Sequence, residues 1–231
     1  MTDDYKNFYD HWRNRAYGSG LRKRFPYKLS LGVPGPMGAD NTSNSEIVVT
    51  SAYHEMYYRI LGFRKRSASA VRNGGIVLTG QPGVGASLWL NSYLCNNSPV
   101  FHCPGKTLFL DFMLLRLMSA NQVVLLFTGS ALYLFCDEHV YMRVPGYFLN
   151  LPTFQGASRF PIWTLVDADD LNHAPPINVS QNIWPIQASS PNPNRWNTWS
   201  KRRDAALLGM PLWDIHELME GYVTVIHVVL R

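Results

Sequence analysis

Cysteine is scarce in this chain, and what there is does not pair up. Cys95, Cys103 and Cys136 form no CxxC, so the sequence offers neither a disulfide framework nor a zinc ribbon. No uncharged apolar run reaches the ~18 residues a membrane-spanning helix requires. The opening Met1-Thr-Asp-Asp-Tyr-Lys-Asn lacks the basic-then-apolar pattern of a secretory leader. Together these absences point to a reduced, intracellular protein, cytoplasmic or nuclear. Histidines are scattered without metal-ligand spacing, the nucleophile-elbow pattern GxSxG is missing, and there is no internal repeat or low-complexity tract.

Charge is also sparse, at 16% of residues, against 46% hydrophobic and 13% aromatic. That balance suits a folded globule and argues against a disordered tail. The charge is uneven. Residues 1–72 hold 12 Lys/Arg against 6 Asp/Glu, whereas residues 73–231 hold 9 against 10. The basic third is densest at Arg22-Lys23-Arg24 and Arg64-Lys65-Arg66, and it suits a nucleic-acid or acidic partner. A solvated helix face is the competing reading, and no aromatic-interleaved nucleic-acid motif decides between them.

Hydrophobic periodicity sets out the organisation. Residues 1–28 read as one or two short helices, and the Gly/Pro/Ser/Asn-rich stretch 30–45 as a linker, making 1–45 a basic extension. Tyr53, Met56, Tyr57, Ile60 and Leu61 predict a helix over Glu46–Phe63. Short β-branched runs follow at 75–79, 123–127, 131–135, 140–144, 161–166 and 183–187, with an amphipathic helix from Lys106 to Met118 after the first. Strand, long helix, strand is a βαβ signature, so the expected fold is α/β, with a mostly parallel sheet over 46–221 and antiparallel strands at 131–144.

The chemistry lies after the first strand. Gly80-Gln81-Pro82-Gly83-Val84-Gly85 begins a Walker A loop, GxxxxGK[ST], in which glycines let consecutive amides turn inward around phosphate oxygens. The loop then needs a lysine for the β/γ-phosphates and a hydroxyl for Mg²⁺. Ala86-Ser87 supplies the hydroxyl without the lysine. Both groups occur 20 residues later, in Gly105-Lys106-Thr107 at the head of the long helix. Removing residues 86–105 restores a continuous motif, and that segment contains no Asp, Glu, Lys or Arg. The codons of Gly85-Ala86 can supply the GT that opens an intron, and those of Pro104-Gly105 the AG that closes it. The expectation is a foreign insertion, translated from a retained intron of 60 nucleotides. By the same codon reading, residues 222–231 form a non-native end. The alternative is a natural loop after a non-functional glycine turn.

A second element is acidic. Ile162-Trp-Thr-Leu-Val-Asp167-Ala-Asp169-Asp170 is an apolar strand ending in carboxylates, the Walker B arrangement. Asp167 is the candidate Mg²⁺ carboxylate and Asp170 a second catalytic acid. Ile186 to Trp199 then follows another strand. A polar residue there suits γ-phosphate sensing, and Arg195 suits neutralising charge in phosphoryl transfer. The competing reading is a Pro-rich turn with Trp196 and Trp199 against the core.

GIVLTGQPGVG, KTLFLDFMLLRL, LYLFCDEHVYMRV, WTLVDADD and IQASSPNPNRWNTWSK before MPLWDIHEL resemble the P-loop NTPase region of Crinkler/RHS-type proteins of mushroom-forming fungi. The resemblance covers about residues 45–220, in the family's order. It implies an ATPase domain of the STAND/AAA-like class, often preceding a nuclease-type effector domain. By resemblance Gly80, Gly83, Gly85, Lys106 and Thr107 bind the phosphates of ATP and Mg²⁺, and Asp167 is the Walker B acid. The chain departs from the family in its split Walker A, which implies impaired ATP hydrolysis. The rival function is a non-catalytic interaction module, whose basic segment 1–72 binds a partner or nucleic acid.

Overall fold

A computed structural model describes residues 2–13, 25, 27–30, 46–69, 74–80, 106–128, 131–143, 162–168, 183–211 and 216–217. In chain order the elements are α1 (Thr2–Arg13), β1 (Tyr27–Ser30), β2 (Glu46–Val49), α2 (Ser51–Ser69), β3 (Ile76–Thr79), α3 (Lys106–Ser119), β4 (Val124–Thr128), β5 (Ala131–Cys136), β6 (His139–Arg143), β7 (Ile162–Asp167), β8 (Ile183–Ala188), a 3-10 turn (Pro193–Arg195), α4 (Asn197–Arg203) and β9 (Ala206–Gly209).

Among the described residues, seven strands form one sheet in the order β6-β5-β4-β7-β8-β3-β9. The five from β4 to β9 run parallel, and β5 and β6 extend that sheet antiparallel. The class is therefore α/β with a mostly parallel sheet and flanking helices. Parallel strands covered on both faces read as unbroken apolar runs, as IVLT, VLLFT and IWTLVD do here. Two adjacent residues with positive φ, Asp137 and Glu138, turn β5 into β6, the geometry of a primed two-residue hairpin loop.

Side chains alternate between the two faces. Ile76, Ile186, Leu165, Leu126 and Tyr133 form one cross-strand row in the main core, together with Phe109, Phe112, Met113 and Leu117 of α3. Leu125, Leu134, Ile162 and Ile183 form a separate cluster on the opposite face. At the base of β3, Gly75 has φ +150° and a Cβ there would stand 3.0 Å from Pro185 Cγ, so β8 can approach only a glycine.

Three readings of the sequence are corrected. The helix expected from Glu46 begins at Ser51, and Glu46–Val49 is a strand pairing antiparallel with Tyr27–Ser30. The helical periodicity from Tyr53 onward does not reach these four residues, whose alternate Ile47 and Val49 are buried, the strand period. Secondly, α3 is not amphipathic. Its residues from Phe109 to Leu115 are all buried, because α1, α2 and β2 enclose the side turned away from the sheet. Finally, β9 and α4 were not foreseen.

Residues 2–13, within the 1–45 stretch, add Phe8, Tyr9 and Trp12 to the main core, and Tyr5 stacks on Tyr133 at 3.9 Å between ring centroids. The Arg22-Lys23-Arg24 cluster, the rest of the expected linker, and residues 86–105 and 222–231 lie outside the described residues. Among the described residues, no helix is long and apolar enough to cross a membrane.

Candidate functional site at the carboxyl edge of the sheet

In an open parallel sheet, ligands sit beyond the carboxyl ends of strands, where neighbouring strands send their connections to opposite faces. Here β3 leads through α3 to β4 on one side, whereas β8 leads through α4 to β9 on the other side of β3. Right-handed crossovers in opposite directions leave the sheet on opposite faces, so the switch lies between β3 and β8. Gly80 follows the last residue of β3 at this point.

The strand ends are held level. Ser189 N donates to Leu78 O at 3.0 Å, and Met210 N donates to Thr79 O at 2.7 Å, so β8 and β9 grip β3 to its last residue. Leu78 and Asp167 are both register partners of Ala188, which places them in one row across β3, β8 and β7. Two strand spacings separate them, about 10 Å. Asp167 shares the parity of Trp163 and Leu165, and therefore the α3 face of the sheet. As the crossover between parallel β3 and β4, α3 begins at this same edge, with Lys106 as its first residue.

Arg195 arrives from the 3-10 turn after β8. Its Nη1 donates to Ala168 O at 3.4 Å, one residue beyond Asp167, and its own carbonyl accepts from Gln187 Nε2 at 3.3 Å. The turn is set by Asn192, whose side chain accepts from Asn194 N at 3.1 Å. Gly80, Lys106, Asp167 and Arg195 are thus all carried by elements that end or begin at one edge. Gln81, Pro82, Gly83, Val84, Gly85, Asp169 and Asp170 lie outside the described residues, as does the side chain of Thr107.

Two further side chains were not singled out by the sequence. Ser189 and Gln187 are fully buried at the end of β8, and among the described residues Ser189 Oγ and Gln187 Oε1 make no hydrogen bond. Buried polar atoms without partners are uncommon and mark places where a water, ion or ligand group belongs. Their position in a strand-then-polar string was the available signal. As for the two tryptophans, Trp199 is buried and Trp196 half-buried, in line with the turn that packs on the core.

Elsewhere, burial shifts several groups. Tyr53 is fully buried and its phenol is pushed far up, first by burial and then by the Asp111 and Glu217 carboxylates. Glu217 Oε1 accepts from both Ser51 N and Ser51 Oγ at 3.1 Å, which closes the first turn of α2 from 166 positions away. Burial pushes the Cys136 thiol up to about 11, with Asp137 adding to it, so Cys136 is held as an unreactive thiol. No cluster of three or more His, Cys, Asp or Glu that could hold a metal occurs among the described residues.

Compared with protein-family models, curated proteins and solved structures, the chain matches none.

Proposed function

We propose that this chain is a P-loop NTPase-like domain of the Crinkler/RHS type, binding a nucleoside triphosphate, ATP by resemblance, with Mg²⁺ at the carboxyl edge of β3, β8 and β7. The observation that carries the reading is the shared row of Leu78, Ala188 and Asp167. It sets the end of the glycine-bearing strand level with the end of the acid-bearing strand, while Lys106 starts the helix on the same face. A phosphate chain lying across that edge has amides and a helix N-terminus at one end and a carboxylate at the other.

The residues have distinct roles in this reading. The loop amides from Gly80 to Gly85 and the Lys106 ammonium take the phosphate charge. Thr107 and Asp167 are the Mg²⁺ ligands, direct or through water, and the ion supplies charge neutralisation between phosphate oxygens. Arg195 bears on charge developing in phosphoryl transfer, and Asp170 is the second acid. Gly80 fits the assignment in one testable respect. Among the described residues, a Cβ there would meet only Met210 Cβ at 3.6 Å, an ordinary contact, and its φ is not positive. Among the described residues neither packing nor backbone conformation demands glycine at position 80, which accords with close approach of a ligand there.

The 20 residues between Gly85 and Lys106 impair this site in the chain as written, since a 1 Å misplacement already costs about 100-fold in rate. Isothermal titration with Mg-ATP tests the reading. Binding that disappears in Lys106→Ala supports it. A chain that fails to bind Mg-ATP both as written and with residues 86–105 deleted overturns it.

A further inference from the structure

We infer that the solvent face of α2 is a docking surface for single-stranded nucleic acid. It holds phosphates on Arg59, Lys65 and Arg66 and one base against Tyr58. The helix divides its residues sharply. Tyr53, Met56, Tyr57 and Ile60 are buried against α3, where Tyr53 meets Phe109 and Phe112 edge-on or tilted. On the other side Tyr58, Arg59, Lys65 and Arg66 are exposed, Tyr58 at 59% of its surface, the most exposed large apolar side chain among the described residues.

The basic run Arg64-Lys65-Arg66 is split by the fold, and the split is informative. Arg64 turns inward and its guanidinium lies over the Trp163 ring at 3.7 Å; burial pushes its pKa down to about 10. Lys65 and Arg66 turn outward, and Arg66 lies over the Phe63 ring at 4.6 Å. Cations in the last turn are what a helix C-terminus favours on its own. That argument does not reach Arg59, two turns earlier, nor an exposed tyrosine beside it. The one acid on this face, Glu55, stands 3.9 Å from Arg59, both well exposed, a contact weak enough for a phosphate to replace.

The geometry suits a short stretch of strand. Tyr58 to Arg66 spans about 12 Å of helix rise, which matches about three nucleotides of stacked strand. An aromatic face beside a cation line is the combination that holds single strands without reading sequence, since every base offers a π-face. An acidic polypeptide would use the cations and leave Tyr58 idle, which separates the two partners.

Fluorescence anisotropy on the full chain tests this, with a labelled 15-nucleotide oligo-dT as probe and poly-glutamate and inorganic polyphosphate as competitors. Three neutralised phosphates give a log-log salt slope of about −2. Arg59→Glu with Lys65→Glu should weaken binding more than tenfold. Tyr58→Ala should weaken it about tenfold, and Tyr58→Phe should restore it. All four side chains are exposed, so far-ultraviolet circular dichroism and the urea midpoint should stay nearly unchanged. The inference is overturned if charge reversal leaves affinity unaltered, if Tyr58→Ala has no effect, or if poly-glutamate competes as well as unlabelled oligo-dT. Nucleotide binding at the sheet edge enters none of these outcomes.

Discussion

Arg195 Nη1 donates to the carbonyl oxygen of Ala168 at 3.4 Å, so the turn after β8 is tied to the residue that follows Asp167 at the end of β7. Gln187 holds the other end of that tie through the Arg195 carbonyl. The tie adds to the ladder, in which Ala168 N already donates to Ala188 O at 3.0 Å, by fastening the turn after β8 to the end of β7.

Replacing Arg195 by alanine removes a half-buried hydrogen bond, and the expected cost is about 0.5–1.5 kcal/mol in urea unfolding. Gln187→Leu should cost a similar amount, because the Arg195 carbonyl loses its donor. The double variant should cost less than the two singles added together, since both act on one turn. A strictly additive result would show that the tie does not work as a unit.

The two glycines flanking β3 should behave oppositely. Gly75→Ala places a Cβ 3.0 Å from Pro185 Cγ and 3.1 Å from its carbonyl at a positive φ, so a loss of about 2–4 kcal/mol is expected. Gly80→Ala should change stability by less than about 1 kcal/mol. If the sheet edge binds nucleotide, the same Gly80→Ala variant should lose Mg-ATP affinity at unchanged stability. Thermal unfolding with and without Mg-ATP separates the two effects.

His54 Nε2 lies 3.2 Å from the Tyr27 hydroxyl, with Phe25 and Phe112 against its ring. Burial, with Arg116 adding to it, holds its pKa below the ordinary histidine value of 6.5. The unfolded chain therefore takes up a proton here before the folded one does. Stability contributed by the neutral ring is present above about pH 6.5 and is lost as pH falls toward the lower folded pKa. The urea midpoint should fall between pH 7.5 and 5.5, and His54→Gln should flatten that part of the profile.

Deleting residues 86–105 should create Mg-ATP affinity where the chain as written has little, and Lys106→Ala in the joined chain should abolish it. At the level of the transcript, a product 60 nucleotides shorter than the gene between the codons for Gly80 and Phe109 is expected. A natural loop instead gives a full-length product and a joined chain that gains nothing.

Much of the central sheet was legible because fully buried parallel strands leave near-continuous apolar runs, as β3, β4 and β7 do, and β8 is broken only by Gln187. Four-residue elements fared worse. Ala206-Leu-Leu-Gly209 is too short to show a period, and its identity as a strand comes from pairing with β3. Glu46–Val49 is equally short and stands one residue before α2, so its alternation merges with the helical pattern. The inward turn of Arg64 was hidden as well, since a basic run carries no sign of which member meets a tryptophan. At the candidate site, Gly80, Lys106, Asp167 and Arg195 were readable as motif residues. The buried Ser189 Oγ and Gln187 Oε1 were not, because only the folded sheet shows that these two atoms make no hydrogen bond among the described residues.

The position of β3 also governs the order in which the molecule can assemble. Its two neighbours in the sheet come much later in the chain, Ile76 pairing with Ile186 and with Ala206. On a ribosome the first parallel strand emerges more than 100 residues before either flank of its slot exists. Meanwhile α3 and the contiguous β4-β5-β6 meander are complete and can collapse together. β3, next to the edge strand β9, can therefore join the sheet only late, by closure of a long loop, and until then it is an unpaired apolar segment awaiting β8 and β9.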